Sequence, residues 1–248
     1  MMRKSYLKRF CLLVICVGAA FTTVAGEYTP EDLISSKEKI NSAIVKFEKT
    51  ERERWSYSIS RYENEEGDIT SSIEQYSPPA YSDDAEPWLL KRINGELPTN
   101  KQMNNFAKKK LKQSNAKEQG SNIQLKLREL INEESLSLVS TDDKYIFMAF
   151  KVNLKKLGED STGKLQGQLT YQKENQFIEK ISIWNNAEFS PMFTANITDL
   201  AITFTFVEIN GAILTKQNEM KMKGSFAYFT EINETSLDSF SDYQYQGK

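Results

Sequence analysis

A mainly β chain of the α+β class, folded as a strongly curved antiparallel sheet that forms an unclosed half-barrel around two or three helices, is what this sequence predicts. Three observations carry the prediction. From Arg54 onward, apolar and polar residues alternate with a period of two in run after run. The connections between the later runs are short and carry Asn or Gly at the turn, which makes successive strands antiparallel neighbours. Two segments of helical period, one beginning near residue 30 and one following the third strand run, present apolar stripes able to cover a sheet face. A single curved sheet buries its concave face only by closing, by meeting a second sheet or by folding around helices, and these two helices supply that cover. No repeat of fixed period recurs, which excludes the signature of a propeller or solenoid.

The first element reads as a targeting segment. Arg3, Lys4, Lys8 and Arg9 precede an apolar core from Phe10 to Phe21, and small residues at Thr23, Ala25 and Gly26 offer a peptidase site. The core is about a dozen residues, short against the roughly 20 of a spanning helix. Leu13-Val14-Ile15-Cys16 has the outline of an acylation site, but Ile15 is bulky where a small residue is needed, and apolar sequence continues past Cys16. The expected organisation is a signal peptide over residues 1–26 and a single domain over 27–248, exported to the periplasm of a Gram-negative bacterium with no integral membrane segment after cleavage.

Cys11 and Cys16, the only cysteines, both lie in that segment, and the chain has no histidine. The exported part therefore lacks disulfides, thiolate and imidazole nucleophiles, and the commonest zinc ligands. Of 32 basic and 34 acidic residues, four basic and no acidic ones fall in residues 1–26, so the net charge after cleavage is −6. A mild acidic excess offers no general attraction for nucleic acid. The 222 residues from 27 onward suffice for a large packed core.

Thr29 caps the first helix, Pro30 suits its first position, and Glu31 and Asp32 favour its dipole; Leu33, Ile34, Ile40, Ala43, Ile44 and Phe47 form its stripe. Trp55, Tyr57 and Ile59 alternate with serines, and after a turn through Glu63 to Asp68 a second strand leads to Tyr76, with Gly67 in the turn. The acidic, proline-rich stretch that follows cannot continue a ladder. Trp88 to Ile93 forms a short strand ended by Asn94-Gly95, and Thr99 caps a helix from Asn100 to about Ala116 that carries Met103, Phe106, Ala107 and Leu111. Lys101, Lys108, Lys109, Lys110 and Lys112 cover the rest of that helix, either as a solvated face or as a contact surface for an acidic partner.

Ser121 to Ile131 reads as a short helix of ambiguous period. Strands follow at Ser135 to Ser140 and Tyr145 to Val152, then around Leu165 to Leu169, Phe177 to Ile183, and Ile202 to Val207. After the Asn210-Gly211 turn come Ile213 to Lys223, Phe226 to Ile232, and Leu237 to Tyr245, for ten or eleven strands in all.

Catalysis would have to be built from carboxylates. Glu63, Glu65, Glu66 and Asp68 crowd one turn, Asp83, Asp84 and Glu86 another loop, and Asp142 and Asp143 a third. None has calcium-loop spacing, and solvated turns explain them. Ser161-Thr162-Gly163-Lys164 lacks the preceding glycine framework of a phosphate loop. The expectation is a non-enzymatic protein with no cofactor and no metal. If the helices leave part of the concave face uncovered, Trp55, Tyr57, Trp88, Phe106, Phe204, Phe206, Met222 and Phe226 would line a cleft for an apolar ligand. Alternation predicts their burial and does not separate burial against protein from burial against a ligand.

Trp55-Ser56-Tyr57 on an early strand, Trp88-Leu89-Leu90 leading through Asn94-Gly95-Glu96-Leu97-Pro98-Thr99 into the helix with Phe106, the order LTYQKENQFIEKISIWN, FSPMF and alternating Thr-Phe strands, and the closing Ser241-Asp242-Tyr243 resemble the periplasmic lipoprotein-carrier superfamily over about residues 30 to 246. The resemblance is to uncharacterised members similar to outer-membrane lipoprotein-sorting proteins. It implies an unclosed barrel capped by helices around an apolar cavity, and chaperoning of lipidated or otherwise hydrophobic cargo through an aqueous compartment. It also implies an arginine near the cavity that holds the closed state, a role that no motif assigns to Arg54 or Arg61. The expected partners are a lipid or lipoprotein cargo and an envelope protein, with a monomeric chain and no nucleic acid. The alternative is an envelope interaction module whose core is filled.

Overall fold

The computed structural model describes residues 28–78, 87–118, 126–152, 157–227 and 230–247, with the backbone alone over 113–118. The expected signal peptide, the loop carrying Asp83, Asp84 and Glu86, and Ile123 and Leu125 of the expected short helix lie outside the described residues.

The chain opens with α1 (Pro30–Glu48). Thr29 and Asp32 form a reciprocal capping box, each side chain accepting from the other's backbone N–H at 3.2 and 2.9 Å. Those hydrogen bonds hold the Asp32 carboxyl below its ordinary range. β1 (Trp55–Glu65), β2 (Asp68–Tyr76) and β3 (Trp88–Ile93) form a meander, followed by α2 (Asn100–Glu118) and one helical turn, α3 (Leu127–Leu130). The remaining strands are β4 (Ser137–Thr141), β5 (Tyr145–Lys151), β6 (Leu165–Gln172), β7 (Phe177–Asn185), β8 (Phe189–Met192), β9 (Ala195–Ile209), β10 (Ala212–Phe226) and β11 (Thr230–Tyr245).

All eleven strands belong to one antiparallel sheet, ordered β3-β2-β1-β11-β10-β9-β7-β6-β5-β4, with β8 on β9. β3 and β4 are its free edges, so the half-barrel is not closed. The pairing of β1 with β11, from Trp55 opposite Tyr245 to Glu65 opposite Glu234, joins the first meander to the later strands. Bulges near Thr215 and Gly224 bend the long β9–β10 ribbon. At Gly224 a Cβ would stand 2.1 Å from the Asn196 carbonyl oxygen, so only glycine lets β9 cross so close.

Register places Leu200, Ile202, Phe204 and Phe206 of β9 on the same face as Ile181 and Ile183 of β7 and Met220 and Met222 of β10. This is the concave face. Over β4–β7 and part of β9 it is filled by α1 and α3, with Ile40, Ile44, Leu127, Leu130, Met148, Leu169, Ile181 and Ile183 all at most 2% exposed. Phe47 of α1 meets Phe206 edge-on, with ring centroids 5.0 Å apart. The guanidinium of Arg52 lies 3.7 Å from the Phe47 ring centroid and donates to the Phe47 carbonyl at 2.6 Å, closing the end of α1 onto the sheet. Arg128 ties α3 to α1 through Asn41 and Glu48.

Several elements differ from the sequence reading. The expected turn through Glu63 to Asp68 shrinks to Glu66 and Gly67, both at positive φ, and the flanking residues pair as strand. The expected short helix is helical only from Leu127 to Leu130. Phe189–Met192 forms a strand that alternation did not reveal because Pro191 interrupts it. Phe226 ends β10 rather than opening the next strand, Tyr228 lies outside the described residues, and from Thr230 to Tyr245 β11 joins the expected Ile232 and the strand expected at Leu237 to Tyr245 without a break. The apparent break arose because Glu234, Ser236 and Asp238 place polar side chains at concave positions of β11.

Two substitutions test this packing. Ile44→Ala removes a fully buried side chain and lowers the unfolding free energy by about 2–5 kcal/mol. Gly224→Ala is destabilising as well, because the added methyl meets backbone rather than a side chain that could turn aside. Urea denaturation monitored by circular dichroism reads both, and an unchanged midpoint for either contradicts the packing described.

Candidate binding site

The part of the concave face that α1 and α3 leave uncovered runs from β9 across β10, β11, β1 and β2 to β3. On β9, β10 and β11 its floor is apolar: Ile202, Phe204, Met220, Met222 and Ile232 are half-buried, and all but Met220 lean on the main core. Toward β1–β3 it becomes aromatic. Tyr57 sits at the centre of a ring cluster, with centroids 5.1 Å from Tyr76, 6.1 Å from Trp88, 5.8 Å from Phe240 and 5.5 Å from Tyr243. Burial raises the Tyr57 and Tyr243 phenols well above their ordinary range, and Tyr243 donates to the Thr215 carbonyl at 2.6 Å.

Between the apolar and aromatic parts lies a charged group of four. Glu74 on β2 accepts from Arg61 Nε at 2.9 Å and from Lys110 Nζ at 2.7 Å, while Arg61 Nη1 reaches Asp238 Oδ2 on β11 at 2.6 Å. The side chains of Glu74 and Lys110 are 6% and 12% exposed. Register explains the meeting: Glu74 stands opposite Ile59 on β1, and Asp238 opposite Arg61, so all three charged strand residues share the concave face. Asn218 of β10, opposite Asp238, has a buried Oδ1 with no hydrogen-bond donor among the described residues. The face therefore offers an apolar floor, a charged centre and an unsatisfied acceptor side by side.

α2 reaches the β2–β3 end of this region through Lys110. Thr99 caps the helix with Gln102, and Met103, Phe106, Ala107 and Lys110 follow at helical spacing on the face turned to β3. None of its residues whose side chains are described is buried. The Lys110 ammonium sits 4.0 Å from the Trp88 ring centroid and 5.1 Å from that of Phe106 while pairing with Glu74. Burial lowers the Lys110 pKa, with Arg61 and Lys109 acting in the same direction and the hydrogen bond and attraction of Glu74 opposing them.

The eight residues expected to line a cleft divide three ways. Tyr57, Trp88, Phe106, Phe204 and Met222 all flank this region. Trp55 and Phe206 are buried against protein, Trp55 on Tyr243 and Tyr245 and Phe206 on Phe47. Phe226 lies at the opposite end of β10 and is 45% exposed. Sequence reasoning did not single out Glu74, Asp238, Asn218, Tyr76 or Phe240, and it grouped Lys110 with the surface lysines. The signal was present in the alternation, since Arg61 continues Tyr57 and Ile59, and Lys110 falls four residues after Phe106.

Of the carboxylates considered for catalysis, Asp83, Asp84 and Glu86 lie outside the described residues, and Glu65 and Glu66 stand at the β1–β2 turn near Glu234. Asp142 accepts from the backbone of Lys144 and Tyr145 as a turn cap, which holds its carboxyl below the ordinary range. Ser161 is buried and donates to the Gly158 carbonyl, and Lys164 pairs with Asp160. Among the described residues no cluster of three or more His, Cys, Asp or Glu could hold a metal, and no helix is long and apolar enough to cross a membrane. A hollow of about 800 Å³ between α1 and the β6–β7 turn is lined by Glu38, Lys39, Lys46, Lys173 and Glu174, a polar lining unsuited to an apolar ligand.

No family model matches the chain, and no curated protein matches it. Among solved structures it is similar to a DUF1329 family protein from Desulfovibrio piger, at 7% identity and a TM-score of 0.33, covering 86% of this chain and 92% of that one.

Two outcomes test the site. Lys110→Ala frees α2, and hydrogen exchange of amides 103–112 accelerates at least about tenfold while that of β6 and β7 is unchanged; unchanged exchange in α2 contradicts the tether. Burial raises the Asp238 carboxyl above its ordinary range, against the opposing attraction of Arg61. The folded protein thus holds this proton more tightly, and the contribution to stability is full below the unfolded value and lost as pH rises through the raised one. The unfolding free energy of the native protein minus that of Asp238→Asn therefore falls as pH rises from the ordinary carboxylate range upward, and a rise reverses the assignment.

Proposed function

We propose that the protein is a non-enzymatic carrier or binding protein that holds a hydrophobic ligand with a polar end, a lipid or lipidated peptide, on the concave floor of β9–β11, in the aqueous space beyond the cytoplasmic membrane. The observation that supports this reading is the adjacency of the half-buried floor of Ile202, Phe204, Met220, Met222 and Ile232 to the charged group in which Arg61, Glu74 and Asp238 meet Lys110 of α2. An acyl chain leaving water gains about 0.8 kcal/mol per buried methylene, so a short length of tail on this floor supplies useful affinity. The polar end would lie at Asn218, Asp238, Arg61 and Lys110, where an N–H or O–H of the ligand satisfies the Asn218 oxygen. Release follows when a membrane or partner competes for the tail. The predicted signal peptide supports placing this activity in the periplasm.

A second reading, an envelope interaction module with a filled core, draws support from α1 and α3, whose apolar side chains are buried against a large part of the concave face. Titration with a fluorescent fatty acid separates the two. The carrier reading expects saturable binding that Met222→Glu weakens at least about tenfold, by setting a charge on the floor, with the circular dichroism spectrum unchanged. Absence of saturable binding to the folded protein favours the interaction module.

A further inference from the structure

One end of the sheet carries an apolar tip that the packing of the fold does not use. β8 and β9 meet at a turn where Met192 is 58% and Phe193 92% exposed, and Phe226, opposite Ala195 at the end of β10, is 45% exposed. Phe193 is the most exposed large apolar residue described. The two chain ends are fixed to one another, since the Ala227 N–H donates to the Thr194 carbonyl at 2.6 Å and Met192 pairs with Ala195. The three side chains are thus held together on the ends of three adjacent strands. Residues 189–198 and 224–230 contain no charged residue, in a chain that is 27% charged.

We propose that this tip docks on a lipid bilayer, with Phe193, Met192 and Phe226 seated among the headgroups and upper acyl carbons of a zwitterionic surface. The exposed apolar area is on the order of 400 Å², taking 150–250 Å² for a large aromatic side chain, about half of the roughly 800 Å² that each partner contributes to a stable protein interface. A bilayer needs no complementary surface and accepts a small convex apolar tip. The surrounding charges decide the lipid class: Glu65, Glu66 and Glu234 lie together toward this end, where the β1–β2 turn meets β11, and their mutual proximity with partial burial raises the Glu234 carboxyl. Lys223 on β10, opposite Asn233, is outnumbered by these three carboxylates, so no basic cluster draws anionic headgroups and apolar insertion is the attraction. The proposal goes beyond the carrier reading and does not depend on what α2 covers.

The test uses the purified protein, Phe193→Trp, Phe193→Ser and vesicles of dioleoylphosphatidylcholine with no fatty-acid probe. The expected result is co-sedimentation that persists at high salt, weakens about tenfold or more in Phe193→Ser, and diminishes when anionic lipid is added. Phe193→Trp then adds an emission component that shifts to the blue and is quenched by brominated acyl chains. Because Phe193 is exposed, thermal unfolding should be unchanged in both variants, which confirms that they fold. Absence of co-sedimentation, or binding that Phe193→Ser leaves intact, overturns the proposal. A requirement for anionic lipid overturns it in favour of headgroup charge, and a vesicle-free dimer abolished by Phe193→Ser assigns the tip to self-association.

Discussion

An antiparallel sheet that curves without closing presents more apolar concave face than its own strands can bury, and the rest of this structure follows from how that face is covered. α1 and α3 cover one side completely, seating Ile40, Ile44 and Phe47 of α1 among strand residues that are almost without exposure. That packing is the large contribution to stability, because each fully buried aliphatic or aromatic side chain is worth about 1.5–3 kcal/mol. On the other side α2 reaches only the β2–β3 end, through Lys110 and its pairing with Glu74. One sheet therefore carries a half packed under helices and a half whose apolar residues stay partly exposed, and the proposed binding role rests on the second.

β1–β11 pairing makes the second half possible. It sets the first meander beside the last strand and brings Arg61, Glu74 and Asp238 to one place from three strands. Arg61, Glu74, Asp238 and Lys110 each have an opposite partner within hydrogen-bond reach, which lets these four charges lie together on the concave face. The same arrangement fixes where a polar ligand end would lie and where a tail would lie, so the orientation of an amphiphile would be set by strand register rather than by a flexible loop. Backbone register is a firm basis for such a site, since slipping one residue would turn every one of these side chains to the convex face.

Much of the fold was legible in the sequence. Period-two alternation, the Asn210-Gly211 turn and the Thr29 and Thr99 caps marked strands and helices that the structure contains. β11 was divided in two because Glu234, Ser236 and Asp238 sit on the inward face, where an apolar residue marks a strand, and only tertiary partners show why polar ones are tolerated. The site was partly legible for a related reason. Alternation identified which residues turn inward, and it could not tell Phe206, pressed against Phe47, from Phe204, left half-buried, because the difference lies in where α1 docks. Lys110 was read with its lysine neighbours, although its spacing from Met103 and Phe106 placed it on the inner face of the helix.

The central claim is that the half-buried concave floor of β9–β11 holds an apolar ligand, and native mass spectrometry of the gently purified protein tests it most directly. The account predicts a discrete adduct of lipid or lipopeptide mass that is released on denaturation. A folded protein of bare polypeptide mass, which also gains no adduct when incubated with lipid, would contradict it.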